Sequence, residues 1–239
     1  MASSALPPMY TDTPLAPIPT PKFETGKVTT AGADGSSPRV GPADKADFVG
    51  YCLAWVDCVA THHHYEETEL FPNIDKAAGQ TGLMDSAVHE HEAFQGGLER
   101  FRKYLQDEGA GFSGAKLVSI MDEFKEPLYS HLKSEPPAIV ALARYSTKDK
   151  PIDILGIADA AGKSPRKKQV TLKFMLNTLP VFFLNMETVE FEGGMWHGVF
   201  PPLKGLARTV MNQAIPMLHS GRWRFASCSA DGRAKRLAV

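Results

Sequence analysis

The stretch His63-His64-Tyr65-Glu66-Glu67-Thr68-Glu69-Leu70-Phe71-Pro72 decides the fold. It sets imidazoles four residues ahead of carboxylates, inside a longer run of apolar residues at helical spacing. Upstream, Phe48, Cys52, Trp55 and Val59 recur at three- and four-residue steps, and Leu70 and Ile74 continue the pattern downstream. That is the stripe of an amphipathic helix over about 43–77. Residues four apart share one face of a helix, so His63 travels with Glu67. His62 with Glu66 makes the same pair one residue earlier. Measured against the upstream apolar residues, the two pairs flank the stripe about equally. Measured against Leu70, Phe71 and Ile74, His63 and Glu67 lie nearer the buried face, and they are the pair chosen.

Two further helices follow. Met84, Val88, His91, Phe94, Leu98, Phe101 and Leu105 line one over about 84–108, ended by Gly109, Gly111 and Gly114. Leu117, Ile120, Phe124, Leu128, His131, Glu135, Ile139 and Leu142 line another over about 115–145. Pro127 and Pro136-Pro137 should bend or break it, because proline removes a backbone donor. His91 is in line with its apolar neighbours, whereas His89 is turned about 160° away and reads as exposed. Each helix therefore brings a histidine to its core face, and two bring a carboxylate as well. A buried ionised carboxylate without a partner costs on the order of several kcal/mol, so such groups persist inside mainly when paired or bound to metal. His63, Glu67, His91, His131 and Glu135 form a nitrogen and oxygen donor set suited to iron, manganese or zinc, with no thiolates of a zinc-finger type beside it. Inward Glu and His on facing helices is also how di-iron carboxylate bundles are built. The plainer alternatives are a solvated face for His62–His64 and a simple ion pair for His131 with Glu135.

These motifs in order resemble those of hemerythrin-like (HHE cation-binding) domains. The Glu four residues before the Phe of Leu-Phe-Pro falls on Glu67, with His63 as its partner. His91-Glu92-Ala93-Phe94 is similar to the family's third-helix motif, and His131-Leu132-Lys133-Ser134-Glu135 to its fourth. Glu192-Gly193-Gly194 and Arg222-Trp223-Arg224-Phe225 suggest the fungal members in particular. The resemblance implies an all-α, up-down helix bundle that binds non-haem iron, as a di-iron or mononuclear centre. Dioxygen binding, oxygen or iron sensing, or iron handling would be its role, with dioxygen or a small oxidant as partner. A di-iron oxidase or peroxidase-like enzyme and an interaction module that has lost its metal are the competing readings. Two departures stand out. Oxygen-carrying hemerythrins have a second third-helix histidine where this chain has Ala87. The family's first helix also supplies a histidine, and here no histidine precedes His62. The bundle is thus expected to be incomplete, with three core helices.

The rest of the chain bounds this reading. Residues 1–42 hold eight prolines and almost no apolar periodicity, and should be disordered. The hemerythrin-like domain is expected over 43–147. An irregular helical extension over 148–239, with helices near 151–162, 167–184 and 203–219, should pack on the bundle. A formal net charge of −1 over 239 residues, with both signs interspersed, gives no nucleic-acid surface. Three scattered cysteines make no disulfide framework, and neither a secretory signal nor a membrane span is evident, so a cytoplasmic location is expected.

Overall fold

The structure, a computed structural model, describes residues 42–162, 171–185, 205–226, 228–229 and 232–233. The expected first helix runs from α1 (Pro42–Tyr65) through one π-helical turn (Glu66–Leu70) into α2 (Phe71–Ala78), so the backbone stays helical across the whole stretch. Gly79, in the left-handed region at φ 68°, caps it by donating its N–H to the Asp75 and Lys76 carbonyls. The Asp75 carboxylate then accepts from the Gly82 and Leu83 amides at 2.7 and 3.1 Å, which turns the chain into α3 (Asp85–Glu108).

The third expected helix is divided, but not at the Pro-Pro pair. α4 (Gly114–Asp122) ends at Glu123, and α5 (Lys125–Ala141) restarts beyond Phe124. Pro127 sits in the first turn of α5, where a missing N–H would have had no helical partner. Pro136 and Pro137 lie inside α5, which continues through them to Ala141. Proline's fixed φ is itself helical, and the packing of α5 against α3 outweighs the lost backbone bonds.

The main core lies between α1, α3, α4 and α5. It gathers Val56, Phe94, Phe101, Leu105, Leu117, Phe124 and Leu128, each no more than 2% exposed. Trp55, Phe101 and Phe124 meet there, with Phe101 edge-on to both Trp55 (6.2 Å) and Phe124 (5.8 Å). A second cluster, around Leu70, Phe71, Ile74, Met84 and Leu142, closes the bundle beneath the π turn. α6 (Ile154–Gly162) covers its edge through Ile154 and Ile157.

The C-terminal segments pack on the other side of α1. α7 (Leu172–Asn177) and α8 (Leu179–Leu184) are followed by helical segments Gly205–Thr209 and Ile215–Met217, joined by a π turn, and by the single turn Ser220–Trp223. Val181, Leu184, Ile215 and Trp223 bury themselves against Ala54. Arg224 pairs with Asp44 and, at 3.6 Å, with Asp47. The lack of a side chain at Gly50 leaves room for the Arg222 side chain, and at Gly221 for the Asp47 carboxylate. Apart from Pro42, which begins α1, the expected disorder of 1–42 lies outside the described residues, as does the expected lack of a helix before α1.

Adjacent glycines on α3 test the closeness of this packing. A Cβ on Gly97 would stand 2.5 Å from the Cβ of Phe124, whereas one on Gly96 would meet only the flexible end of Arg100 at 3.5 Å. Gly96→Ala should stabilise the protein by about 0.5–1 kcal/mol, the ordinary gain of leaving glycine in a helix. Gly97→Ala should instead destabilise it, because overpacking of about 1–3 kcal/mol exceeds that gain. Thermal or urea unfolding of the two variants checks this, and equal shifts would show that α3 and Phe124 are not in such contact.

Candidate metal centre

Four buried side chains converge where α1 enters the π turn. His63 (6% exposed), Glu66 (2%), His91 (2%) and His131 (0%) each point a ligand atom into one space, with all four atoms within 4.8 Å of one another. A second group, His62, Glu66 and Glu135, satisfies the same distance and shares Glu66 with the first. Phe94 walls the site, 4.9 Å from His63 and 5.5 Å from His131 between ring centroids.

Of the residues expected from the sequence, the structure brings together His63, His91, His131 and Glu135. It places Glu67 elsewhere, and Glu66 takes the inward position. Glu67 is exposed, and its Oε1 accepts from His91 Nδ1 at 2.7 Å. The π turn is the cause. It bonds the Phe71 amide back to the Glu66 carbonyl, five residues away, and so holds one residue more than an α-turn. Counting back from Leu70, Phe71 and Ile74 at α-helical spacing therefore lands one residue too late, on Glu67. Insertions of this kind are frequent at functional sites. His62, half exposed, reaches Glu66 Oε1 at 2.9 Å through its Nε2. Glu90 carries no signal in the helical spacing. It accepts from His131 Nδ1 at 3.1 Å and from the Ser134 hydroxyl at 2.8 Å, a role set by the approach of α3 to α5 that no spacing along one helix reveals. Ala87 is buried among Leu70, Phe71, Ile74 and Met84, so hydrocarbon fills the position at which oxygen carriers have a histidine. His89 is exposed, as expected.

The electrostatics mark a donor set without its acceptor. A carboxylate only accepts, so Glu67 and Glu90 place the protons of His91 and His131 on Nδ1. The two Nε2 atoms then face each other as lone pairs, 3.2 Å apart in a buried space. His63 Nε2, Glu66 Oε2 and Glu135 Oε1 are buried and have no hydrogen-bond partner among the described residues. Burial pushes the His63 pKa down to about 2, helped by the neighbouring His91, His62 and His131. Burial also lowers that of His131, against the pull of Glu90. Burial and then the charge of Glu66 raise Glu135 to about 7. Burial opposes protonation of His62, but Glu66 and Glu135 outweigh it and its pKa is raised. Several buried polar atoms aimed at one point without hydrogen-bond partners are costly unless a cation joins them.

The family model for the hemerythrin HHE cation binding domain matches residues 28–139. This stretch is a hemerythrin HHE domain. Every residue of both ligand groups lies within it. The HHE domain begins ahead of the first described helix, so the missing first-helix histidine concerns residues outside the described ones. The chain is also 29% identical over 205 residues to the dimeric xanthone biosynthesis cluster protein R11 of Cryptosporiopsis sp. (strain 8999), which covers 82% of this chain and 71% of the relative. No solved structure matches. Among the described residues no helix is long and apolar enough to cross a membrane.

The shifted groups fix a pH signature for the chelator-treated protein. His63, lowered from 6.5 to about 2, stays neutral in the fold while the unfolded chain takes up a proton, so stability is lost as the pH falls below 6.5. Glu135, raised from 4.5 to about 7, adds stability below 4.5 that is lost as the pH rises through 7. The Tm of His63→Asn relative to wild type should therefore climb as the pH drops below 6.5. That of Glu135→Gln should climb as the pH rises from 4.5 to 7. Calorimetry across that range measures both, and differences independent of pH would show that the groups are not buried as described.

Proposed function

We propose that the HHE domain is a non-haem iron protein holding two ions, with Glu66 shared between them. His63, His91 and His131 would bind one ion together with Glu66; His62 and Glu135 would bind the other. The observation that carries this is the pair of buried Nε2 atoms of His91 and His131, facing each other 3.2 Å apart with a carboxylate at each Nδ1. Imidazole with carboxylate, and no cysteine in either ligand group, suits iron better than a thiolate-seeking ion. Two adjoining groups with one common carboxylate favour a dinuclear centre over a mononuclear one.

Bound iron would supply reversible electron exchange with dioxygen, which suits dioxygen binding, oxygen sensing or iron handling in the cytoplasm. The chain's own residues do the rest. Glu67 and Glu90 orient the imidazoles and make their Nε2 atoms better donors. Phe94, Phe71 and Leu70 keep bulk water from the buried side. Glu135, with its raised pKa, gives up its proton when a cation arrives, so metal uptake releases protons and weakens in acid.

Protein expressed with added iron should carry about two iron ions per chain by elemental analysis, as two ligand groups require. Glu66→Ala should lose both. Glu67→Ala should keep them with affinity weakened about 10–100-fold, the usual cost of removing a partner behind a ligand. Metal-free wild-type protein, or greater loss in Glu67→Ala than in Glu66→Ala, would refute this assignment.

A second reading, a di-iron oxidase, draws on the relative's name, which places that protein in a biosynthesis cluster, and on the half-exposed His62 at the mouth of the site. Dioxygen consumption with a reductant, lost in Glu66→Ala, separates it from simple binding.

A further inference from the structure

α1 carries a second functional face, turned away from the one that bears His63 and Glu66. A cavity of about 430 Å3 lies along it, between Asp57 and Thr61 of α1, Arg102 of α3, and the α7–α8 segment with Lys173, Phe174 and Thr178. Its size falls within the range of small-molecule sites. Its walls come from both the HHE domain and the C-terminal helices, so neither part forms it alone. The alignment with the Cryptosporiopsis relative covers 82% of the chain, which the matched domain and all residues before it cannot supply, so it too extends into the C-terminal segments.

Among the residues that line this cavity, two cations, Arg102 and Lys173, stand beside one carboxylate, Asp57. Arg102 Nη1 is held by Asp57 at 2.5 Å, and its Nε faces Glu99 at 3.6 Å. Lys173 has no carboxylate within ion-pair distance among the described residues, so its ammonium is left unpaired. The hydroxyls of Thr61 and Thr178 likewise make no hydrogen bond among the described residues, and Thr178 is only 4% exposed. Asn177, by contrast, is committed: its side chain accepts from His219 at 2.6 Å and donates to the Lys173 carbonyl at 2.8 Å. Among the described lining residues, the Lys173 ammonium, the hydroxyls of Thr61 and Thr178, the His64 imidazole and the ring of Phe174 form a site for an anion with a flat apolar body. An ammonium and hydroxyls hold a carboxylate, and an aromatic side chain packs a ring.

We infer that the cavity between α1, α3 and α7–α8 binds a small aromatic carboxylate. The site is separate from the metal centre and is not built from its ligands. It gives the C-terminal extension a task, the completion of a ligand pocket against the far side of the helix that carries the metal-centre histidines.

Calorimetric titration of the full chain with benzoate tests this, with benzamide as the neutral isostere and inorganic phosphate as the anion without a ring. Benzoate should bind saturably, and benzamide and phosphate at least about tenfold more weakly, the scale of one charge-assisted contact. Lys173→Gln, at an exposed position that folding does not depend on, should weaken benzoate at least about tenfold. Because carboxylates also bind iron, the titration is repeated on Glu66→Ala. Benzoate binding retained there supports the cavity, whether or not wild-type protein holds iron. Absence of saturable binding, equal binding of benzamide or phosphate, indifference to Lys173→Gln, or loss of binding in Glu66→Ala would each overturn the proposal.

Discussion

Two imidazole nitrogens with their lone pairs face to face, 3.2 Å apart and out of reach of water, are the constraint on which the bundle depends. Neither nitrogen has a proton to offer the other, since Glu67 and Glu90 hold the protons at the far side of each ring. Burial and neighbouring imidazoles make an added proton unfavourable at His63 and His131. A cation between them turns repulsion into attraction. Without one, three helices are held together around a polar hole that their hydrocarbon core must offset. Phe94, Phe101, Phe124 and Leu128 supply that hydrocarbon directly beside it.

The π turn reconciles two demands on one helix. Upstream, Val49, Cys52 and Val56 must face the main core; downstream, Leu70, Phe71 and Ile74 must face the lower one. A continuous α-helix would carry a single phase through both. The extra residue lets the helix change phase at the position where Glu66 must turn inward, while Glu67, one residue on, remains close enough to support His91 from outside. Adjacent acidic residues thus divide two roles, one facing the other donors and one holding a ring in place.

Much of this was legible in the sequence because the signals are periodic and local. The apolar stripes located α1, α2 and α3 to within a residue or two, and the histidines on those stripes are buried. Glu66 falls one residue off the position that a constant 100° per residue gives, because the π turn winds more slowly. Glu90 was invisible because its partner His131 lies 41 residues away on another helix. The break at Phe124, in place of Pro136-Pro137, shows tertiary packing overriding a local breaker. The C-terminal helices were the least legible, since their contacts with α1 join residues far apart in sequence and leave only short, weakly patterned stripes.

Those distant contacts also impose an order on assembly. α1 emerges from the ribosome early, whereas Trp223 and Arg224, which cover and clamp it, come more than 150 residues later. During synthesis the side of α1 around Ala54 waits uncovered, although α3, α4 and α5 are already there to pack on the opposite side. Loop closure over so long a separation is slow compared with the pairing of neighbouring helices. The bundle can therefore form, and its histidines gather, well before the last helical turn docks. The nascent chain would pass through a half-clad state whose exposed apolar strip is the part most prone to stray association.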